Sequence, residues 1–368
     1  MSSAPVSMIE DLSESTWEGR YGLKEDPNMT SEEIFTLGLE HLYGWFDKQE
    51  NVEKAKELVL RASRLGCHCA MAECAYKGWG EEKDVDKAFK SYSELAKKSN
   101  THAMHRLGCY WDFDAENVDP KEAVRWYRRA AKGGHISASY NLSVAYNFGL
   151  GVAKNPREAF KWCSRSANLG HRSGQHNLAC AYERGRGIAS PDEEKAVEWY
   201  LKAAKQGHPK SKYNLGICYL HGTGVMSDEE KGLEWLMEAA ASGHVPAHYQ
   251  IGQFYLNHRK GSEARKEAIK WLWWAQDKGC PNAAARLMSL PKKEVGAFFK
   301  EKQQAVRTAL TRDFDDLFML HPDILKSFAN IYRNRGLIVR KETRRCSRRS
   351  GNSSRSSSSN SCGANGGH

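Results

Sequence analysis

Histidine is the residue whose spacing in this 368-residue chain first suggests chemistry. Four histidines follow a glycine at nearly equal intervals: His135, His171, His208 and His244. An imidazole can bind a metal ion or transfer a proton near neutral pH, so such a series could mark a metal or catalytic site. A histidine position that recurs with a sequence repeat is instead typical of packing or hydrogen bonding within each repeat. We expect that role for these four histidines.

The cysteines offer a second candidate for metal binding. Cys67, His68, Cys69 and Cys74 are close in sequence, but their spacing matches no paired Cys-x-x-Cys zinc motif. The chain also lacks a Gly-x-Ser-x-Gly nucleophile turn and a phosphate-binding Gly-Lys-Ser/Thr loop. The sequence therefore predicts no catalytic residue, no metal site and no cofactor, and it predicts that the protein is not an enzyme.

Composition is typical of a globular protein. Hydrophobic residues make up 40% of the chain and charged residues 27%. No apolar run approaches the ~18 residues of a membrane span. The acidic N-terminus has neither the basic start nor the apolar stretch of a signal peptide. We therefore expect a cytoplasmic protein without membrane association, whose ten cysteines are reduced thiols.

The formal net charge of +10 is unevenly distributed. Residues 340–368 contain seven Lys/Arg and one Glu, a balance of +6 that leaves +4 for the other 339 residues. This distribution assigns the basic character to the C-terminal tail and predicts a nearly neutral folded surface.

The middle of the chain contains a sequence block that recurs at a nearly constant interval, and this repeat must position the histidines and cysteines. REAFKWCSRSANLGH at 157–171 returns as EKAVEWYLKAAKQGH at 194–208, and seven copies occur in all. Their leading small residues are 33 to 37 positions apart: Ala55, Ala88, Ala123, Ala159, Ala196, Gly232 and Ala268. A second block with an aromatic residue lies between the copies. Such a period indicates stacked supersecondary units.

Both blocks have the pattern of an amphipathic helix. In one copy the small and aromatic residues recur on a single helical stripe: Ala196, Trp199, Tyr200, Ala203 and Ala204. Glycines follow each stripe, and Gly-x-Gly turns separate the two blocks. One helix pair cannot cover its own apolar stripe, whereas stacked pairs can. The sequence therefore predicts an all-α fold, an α-solenoid of about seven helix-turn-helix repeats.

These blocks resemble the Sel1-like repeat (SLR) family, a relative of the tetratricopeptide (TPR) repeats. Residues 208–243 match its pattern almost completely: Leu215, Gly216, Tyr219, Gly222, Gly224, Val225, Trp235, Ala239 and Ala240. Leu58 and Ser91 replace the expected Trp in the first two pairs, and the loops at 111–120 and 256–266 lack the Gly-x-Gly turn. The resemblance implies a right-handed superhelical scaffold that binds proteins or peptides on its concave side.

The partner-binding groove is expected at first-helix positions that packing does not use: Tyr140, Asn141, Asn147, His176, Asn177, Glu183, Tyr213, Asn214, Tyr249 and Gln250. Four of these form a row of amides. Side-chain amides donate and accept hydrogen bonds, so the row could hold the backbone of an extended peptide. The alternative is that the amides satisfy groups between repeats. The leading hypothesis is a non-enzymatic adaptor or scaffold for a protein or peptide partner, with its oligomeric state open.

Composition and period divide the chain into four segments. Residues 1–30 are predicted to be a flexible acidic arm, 31–290 the repeat solenoid, 291–339 a helical C-terminal cap, and 340–368 a disordered Arg/Ser-rich tail. The cap segment has a partner-binding helix as its alternative. The tail supports an alternative function, a nucleic-acid-associated or nuclear regulatory factor that contacts nucleic acid through the tail only. Ser347 follows an arginine pair and is a candidate phosphorylation site.

Overall fold

The computed structural model describes residues 26–43, 51–114, 116 and 118–311. These residues form sixteen α-helices and one π-helical turn, and none of them lies in a β-strand. In chain order the helices are α1 (Ser31–Tyr43), α2 (Val52–Arg64), α3 (His68–Lys77), α4 (Val85–Lys97), α5 (Thr101–Cys109), α6 (Pro120–Lys132), α7 (Ile136–Phe148), α8 (Pro156–Asn168), α9 (Arg172–Arg184), α10 (Glu193–Lys205), α11 (Pro209–His221), α12 (Glu229–Ala241), α13 (Val245–His258), α14 (Ser262–Asp277), α15 (Pro281–Met288) and α16 (Lys292–Thr311).

The first fourteen helices form seven consecutive pairs. We call the odd-numbered members α1 to α13 the first helices and the even-numbered members α2 to α14 the second helices. Each first helix packs on the second helix of its own pair, and each second helix up to α12 packs on the first helix of the next pair. This stacking buries apolar surface that no single pair could cover. The predicted all-α solenoid of about seven repeats is confirmed.

The chain divides into two compact units after Ala283, and the first unit contains the seven pairs. In the described part of the second unit, Phe298 of α16 is buried and its ring centroid lies 5.6 Å from that of Phe299. The cap at 291–339 stays a prediction.

Within the described residues, no helix has the length and apolar character to cross a bilayer. Most of the predicted arm and the whole tail, with Ser347, lie outside the described residues.

Six of the seven second helices begin at an Asp or Asn whose side chain accepts a backbone N–H, and α14 is the exception. Asp192 accepts from Lys195 at 3.0 Å, and Asn155 accepts from Glu158 at 3.2 Å. The same type of cap opens α2, α4, α6 and α12. Such a cap contributes about 1 kcal/mol because it satisfies a donor that has no partner inside the helix. The caps explain why second helices start at a fixed point of the period.

The Gly-x-Gly turn between two helices of a pair has two structural roles. Gly185 ends α9 in the left-handed conformation, with φ +63°. Gly187, with φ +80°, lies against the preceding second helix, and a Cβ there would stand 2.2 Å from the carbonyl oxygen of Pro156. Gly151 and Gly224 make the corresponding close approach in their own turns. The second glycine therefore permits repeat-to-repeat packing as well as the turn.

Large aromatic side chains fill the space between neighbouring pairs. Trp162 of α8 lies in the same buried cluster as Tyr127 and Ala131 of α6, so its ring joins the third pair to the fourth. Tyr127 itself needs a glycine opposite, because a Cβ on Gly108 would stand 2.5 Å from its ring. Alternation of small and aromatic residues thus sets the separation of the helices.

The third pair departs from this scheme at its turn. After α5 the chain forms the π-helical turn Tyr110–Asp114 in place of a left-handed glycine cap. In this turn Asp112 accepts from the Tyr127 hydroxyl at 3.0 Å, and Asp114 accepts from the Tyr76 hydroxyl at 2.9 Å. The loss of the Gly-x-Gly motif here accompanies a different connection, held by carboxylate contacts.

Candidate functional site

The recurring histidines cap the first helices. His135, His171 and His208 each accept, through Nδ1, the backbone N–H three residues ahead, at 3.0 to 3.2 Å. His244 occupies the same position, and no described residue gives its side chain a capping bond. The predicted hydrogen-bonding role is confirmed for the first three histidines.

Each of these histidine rings also lies against the fifth residue of the preceding first helix. The four ring pairs are His105 with His135, Tyr140 with His171, His176 with His208, and Tyr213 with His244, at centroid distances of 4.4, 4.5, 4.4 and 4.8 Å. Ring contacts therefore connect successive repeats along the surface of the first helices. Three residues of the predicted binding site, two tyrosines and His176, belong to this series.

The predicted amide row lies one residue further along the same helices. Each asparagine lies against a side chain of the preceding pair. The contacts are Asn141 with His105 (3.4 Å from Nδ2 to Nε2), Asn177 with Tyr140, and Asn214 with Tyr200. All three amides are half-buried. Since an amide offers two donors and two acceptor lone pairs, one such contact leaves hydrogen-bonding capacity toward a ligand.

The other predicted residues are also half-buried on the first helices. His176 Nδ1 lies 2.9 Å from a serine hydroxyl of the next first helix. The Tyr249 hydroxyl accepts from Gln253 Nε2 at 2.6 Å. Asn147 and Gln250 share this half-buried setting at the two ends of the predicted site. The predicted residues therefore occupy one type of surface, although the structure leaves their partner-binding role a prediction.

Sequence reasoning missed the ninth residue of the first helices, which lies beside the amide row. These residues are half-buried in four successive pairs: Val144, Cys180, Ile217 and Gln253. Two of them are aliphatic and would give a bound segment an apolar contact between the amides. Their helical spacing of three residues from the asparagines is the signal that could have identified them.

A thiol, an imidazole, a phenol and a carboxylate meet in the fifth pair. Cys180 Sγ lies 3.6 Å from His176 Nε2 and 3.2 Å from the Tyr200 hydroxyl. That hydroxyl donates to Glu183 Oε2 at 3.1 Å. The third pair has the same four functional groups in Cys109, His105, Tyr127 and Asp112. Sequence reasoning missed this duplication, although a cysteine follows a histidine by four residues in both α5 and α9.

Burial determines what this thiol–imidazole arrangement can do. Desolvation raises the pKa of the Cys180 and Cys109 thiols and lowers the pKa of His176 to about 4. A thiolate–imidazolium pair, which activates cysteine nucleophiles, is therefore disfavoured at neutral pH. The arrangement supports packing between the first and second helices. Among the residues that the structure describes, no three His, Cys, Asp or Glu side chains are placed to hold a metal ion.

A buried ion pair replaces the amide in the second and third pairs, and sequence reasoning also missed it. Glu73 Oε2 accepts from the Tyr92 hydroxyl at 2.7 Å and lies 3.1 Å from Arg106 Nε. Burial would raise the pKa of Glu73, but Arg106, His102 and Tyr92 lower it to about 2. Both charged residues occupy the sixth position of a first helix, the position of Asn141 in α7. Extending the repeat alignment to the first copies would have revealed them.

The Sel1 repeat family matches six consecutive segments, which together cover more than half of the chain. The segments are 35–67, 67–100, 101–135, 136–171, 172–208 and 209–244. They correspond to the first six helix pairs. The seventh pair, α13 and α14, has the same architecture and lies beyond the matched segments.

Known proteins share parts of this chain or its fold. An F-box protein of Arabidopsis thaliana is 35% identical over 116 residues, which are 32% of this chain and 32% of that protein. An SLR-fold protective antigen of uropathogenic Escherichia coli superposes with a TM-score of 0.58 at 21% identity, covering 83% of this chain and 65% of its own. For a Sel1 repeat protein from Oxalobacter formigenes the TM-score is 0.51 at 25% identity, with coverages of 66% and 96%. The chain thus spans about a third of the plant relative.

Proposed function

This chain belongs to the Sel1 repeat family, and from that premise we propose that it is a non-enzymatic scaffold that binds a peptide or partner protein. Sel1 repeat proteins generally mediate protein–protein interactions. We assign binding to the first-helix face, which consists of the fifth, sixth and ninth residues of four first helices: Tyr140, Asn141, Val144, His176, Asn177, Cys180, Tyr213, Asn214, Ile217, Tyr249, Gln250 and Gln253.

The observation that carries the proposal is the row of half-buried amides in register with the repeat. An amide can pair with the backbone of a bound segment whatever the sequence of that segment. The neighbouring tyrosines, Tyr140, Tyr213 and Tyr249, add rigid contact area with a polar tip, as interface cores favour. Val144 and Ile217 add apolar contact. This combination is suited to an extended segment held mainly by its main chain.

The buried ion pair limits the extent of this face. Arg106 is 8% exposed and Glu73 is 0% exposed, so their polar groups are withdrawn from a ligand at the surface. Phe35 of α1 lies against His102 of α5, with 5.1 Å between ring centroids, which further covers this end of the first helices. The proposed binding face therefore begins at α7 and includes four pairs.

Removal of the three asparagine amides tests the proposal. Proximity labelling in the native cell would first identify partners, and recovery of one partner by pull-down would then be compared between variants. We expect Asn141→Ala/Asn177→Ala/Asn214→Ala to lose the partner. The matched control removes three exposed asparagines elsewhere, Asn168→Ala/Asn257→Ala/Asn282→Ala, and should retain it.

A second variant separates binding from folding, because the asparagines also join repeats. Val144→Glu places a charge on the face at a half-buried residue and leaves all of those inter-repeat contacts in place. We expect it to weaken partner recovery while its circular dichroism and melting temperature stay close to wild type. Unchanged recovery by both folded variants would overturn the assignment of this face.

The composition of residues 340–368 favours a second candidate function, nucleic-acid association through the basic tail. Such binding should weaken steeply as salt increases, because phosphate contacts release counterions. It should disappear when 340–368 is deleted.

Cytoplasmic localisation remains part of the proposal. A fluorescent fusion with and without the tail would show whether the tail directs the protein to the nucleus.

A further inference from the structure

The nearly neutral sum of charges outside the tail conceals a segregation of charge among the second helices. Helix α6 carries five basic and one acidic side chain, and α8 carries three and one. Helix α12 reverses the balance, with one basic and four acidic side chains. Because these helices occupy equivalent positions in the repeat, the difference is not required by the fold.

Six of the eight basic side chains of α6 and α8 are exposed. On α6 they are spaced along one exposed stripe, and on α8 two basic residues occupy the corresponding positions. We call this surface the basic face, which consists of Lys121, Arg125, Arg129, Lys132, Arg157 and Lys161. Arg125 pairs with Glu122 at 2.8 Å. Within the described part of the chain, the other five lie beyond ion-pair distance of any carboxylate.

The two helices present their basic residues as neighbouring rows. Trp162 of α8 belongs to the same buried cluster as Val124, Tyr127 and Ala131 of α6, and both helices pack on α7, which lies between them in the chain. Residues four apart on one helix rise by about 6 Å. The basic face therefore presents cations at intervals of about 6 Å along α6, with a second row of cations on α8.

We propose that the basic face docks an acidic helical segment of a protein partner. A helix that bears carboxylates four residues apart has the same ~6 Å axial spacing as the cations on α6. Lying along the groove between α6 and α8, it could place carboxylates against both rows. Arginine favours such contacts because its guanidinium can bind a carboxylate through two parallel hydrogen bonds. This surface is separate from the first-helix face and gives the scaffold a second binding site.

Two observations favour an acidic protein segment over a nucleic acid. Single-stranded nucleic acids use exposed aromatic rings as stacking platforms. Here Trp162 is 8% exposed, and Arg129 covers the ring of Trp126 at 4.6 Å. The basic face is also short, because α10 has exposed Glu194 and Glu198 at the positions that correspond to the basic residues of α8. A long polyanion that followed the array would meet these carboxylates and then the acidic α12.

Fluorescence anisotropy with the full chain tests the proposal. The probe is a fluorescein-labelled helical peptide of alanine and glutamate, with carboxylates four residues apart. The test variant is Arg125→Glu/Arg129→Glu/Lys161→Glu, and the control is Arg61→Glu/Arg64→Glu/Lys260→Glu, which makes the same charge change at exposed sites elsewhere. We expect the test variant to bind the probe about tenfold more weakly or worse, and the control to bind like wild type.

Comparator ligands decide what the face recognises. An alanine–lysine peptide of equal length should not bind, and a poly-dT oligonucleotide should bind more weakly than the acidic peptide. Equal losses in the test and control variants would overturn the proposal, because binding would then follow net charge alone. Tighter binding of poly-dT would also overturn it in favour of a nucleic acid. Self-association in sedimentation velocity that the test variant abolishes would show that a second copy occupies the face. None of these outcomes depends on the first-helix face.

Discussion

Glu73 and Arg106 stand where later repeats have asparagine, and both charges are withdrawn from water. Desolvation of two ions is costly, and the pair persists only because each charge neutralises the other. Arg106→Met would leave Glu73 buried without its main counter-charge. We predict that this variant lowers the free energy of unfolding by about 3–5 kcal/mol, measured by urea denaturation.

A double variant provides the control for this prediction. Glu73→Met/Arg106→Met removes both charges, so no ion is left unpaired, and we expect it to be more stable than Arg106→Met alone. Replacement of a buried ion pair by apolar residues is often neutral or stabilising. If the single variant lost less than about 1 kcal/mol, the pair would not be desolvated in solution as the structure has it.

Partly buried histidines make the stability of the array sensitive to acid. Burial lowers the pKa of His171 and His208 to about 3 and that of His176 to about 4, from an ordinary value of about 6.5. Between these values the unfolded chain binds protons that the native rings do not, so stability falls as pH decreases. We predict a decline in the free energy of unfolding from about pH 6.5 to 4.5, with at most ~1.4 kcal/mol per pH unit for each ring.

One substitution can isolate this effect. His171→Asn keeps an N-cap acceptor and removes the titrating ring. The chain itself provides a precedent, because Asn100 caps α5 by accepting from Ala103 at 2.8 Å. Chemical denaturation at several pH values should give a shallower pH dependence for this variant. An unchanged slope would mean that His171 does not contribute to the acid sensitivity.

At the scale of the elements, two glycines with the same backbone conformation have different surroundings. Gly187 has φ +80° and no room for a Cβ, whereas Gly207 has φ +77° and no atom within 4 Å of a Cβ position other than those of its two chain neighbours. Alanine at Gly207 should cost about 1–2 kcal/mol, from the left-handed conformation alone. We predict that Gly187→Ala costs at least ~2 kcal/mol more, because the new methyl group meets the backbone of α8.

Thermal unfolding of the two variants would measure this difference directly. Gly207→Ala serves as the control for backbone strain. Similar melting temperatures would show that the array relaxes around the added methyl group. The close approach of Gly187 to α8 would then not constrain how the repeats pack.

The sequence predicted the helix pairs well because their signals are local. The small residues of the second helices, the glycines at φ +77° to +89° after those helices and the first glycine of each Gly-x-Gly turn all recur with the period. The role of the second glycine was not predictable, since it depends on a helix about 30 residues earlier in the chain. The π-helical turn Tyr110–Asp114 was also missed, because loss of a motif shows that a turn differs without showing how.

The candidate site was predicted less completely than the fold. Asn141, Asn177 and Asn214 could be identified from the period, but their contacts with the preceding pair depend on how far adjacent repeats rotate. The ion pair of Glu73 and Arg106 was overlooked because the first copies of the block are degenerate. Packing of separate repeats against each other, which no local pattern encodes, decided these details.

At the scale of the whole molecule, the repeat distinguishes the buried positions that the fold requires from the exposed positions that are available for binding. Positions that pack between pairs keep their residue types through the array, as at Ala123, Ala159 and Ala196. Exposed positions vary, and the change from basic α6 to acidic α12 gives equivalent surfaces opposite charge. The small sum of charges outside the tail therefore says little about the surface of the array, because different parts of it can bind partners of different chemistry.

Contacts in this array are mainly between neighbouring pairs, so its two ends need not be equally stable. The N-terminal end is tied across two repeats by Phe35 and His102. In the seventh pair, His244 and Gly261 give α13 and α14 no side-chain cap among the described residues, and Arg259 ends α13 without a left-handed glycine. We predict that native-state hydrogen exchange shows lower opening free energies for α13 and α14 than for α7 to α10. One common opening free energy for all helices would instead show that the array unfolds as a single cooperative block.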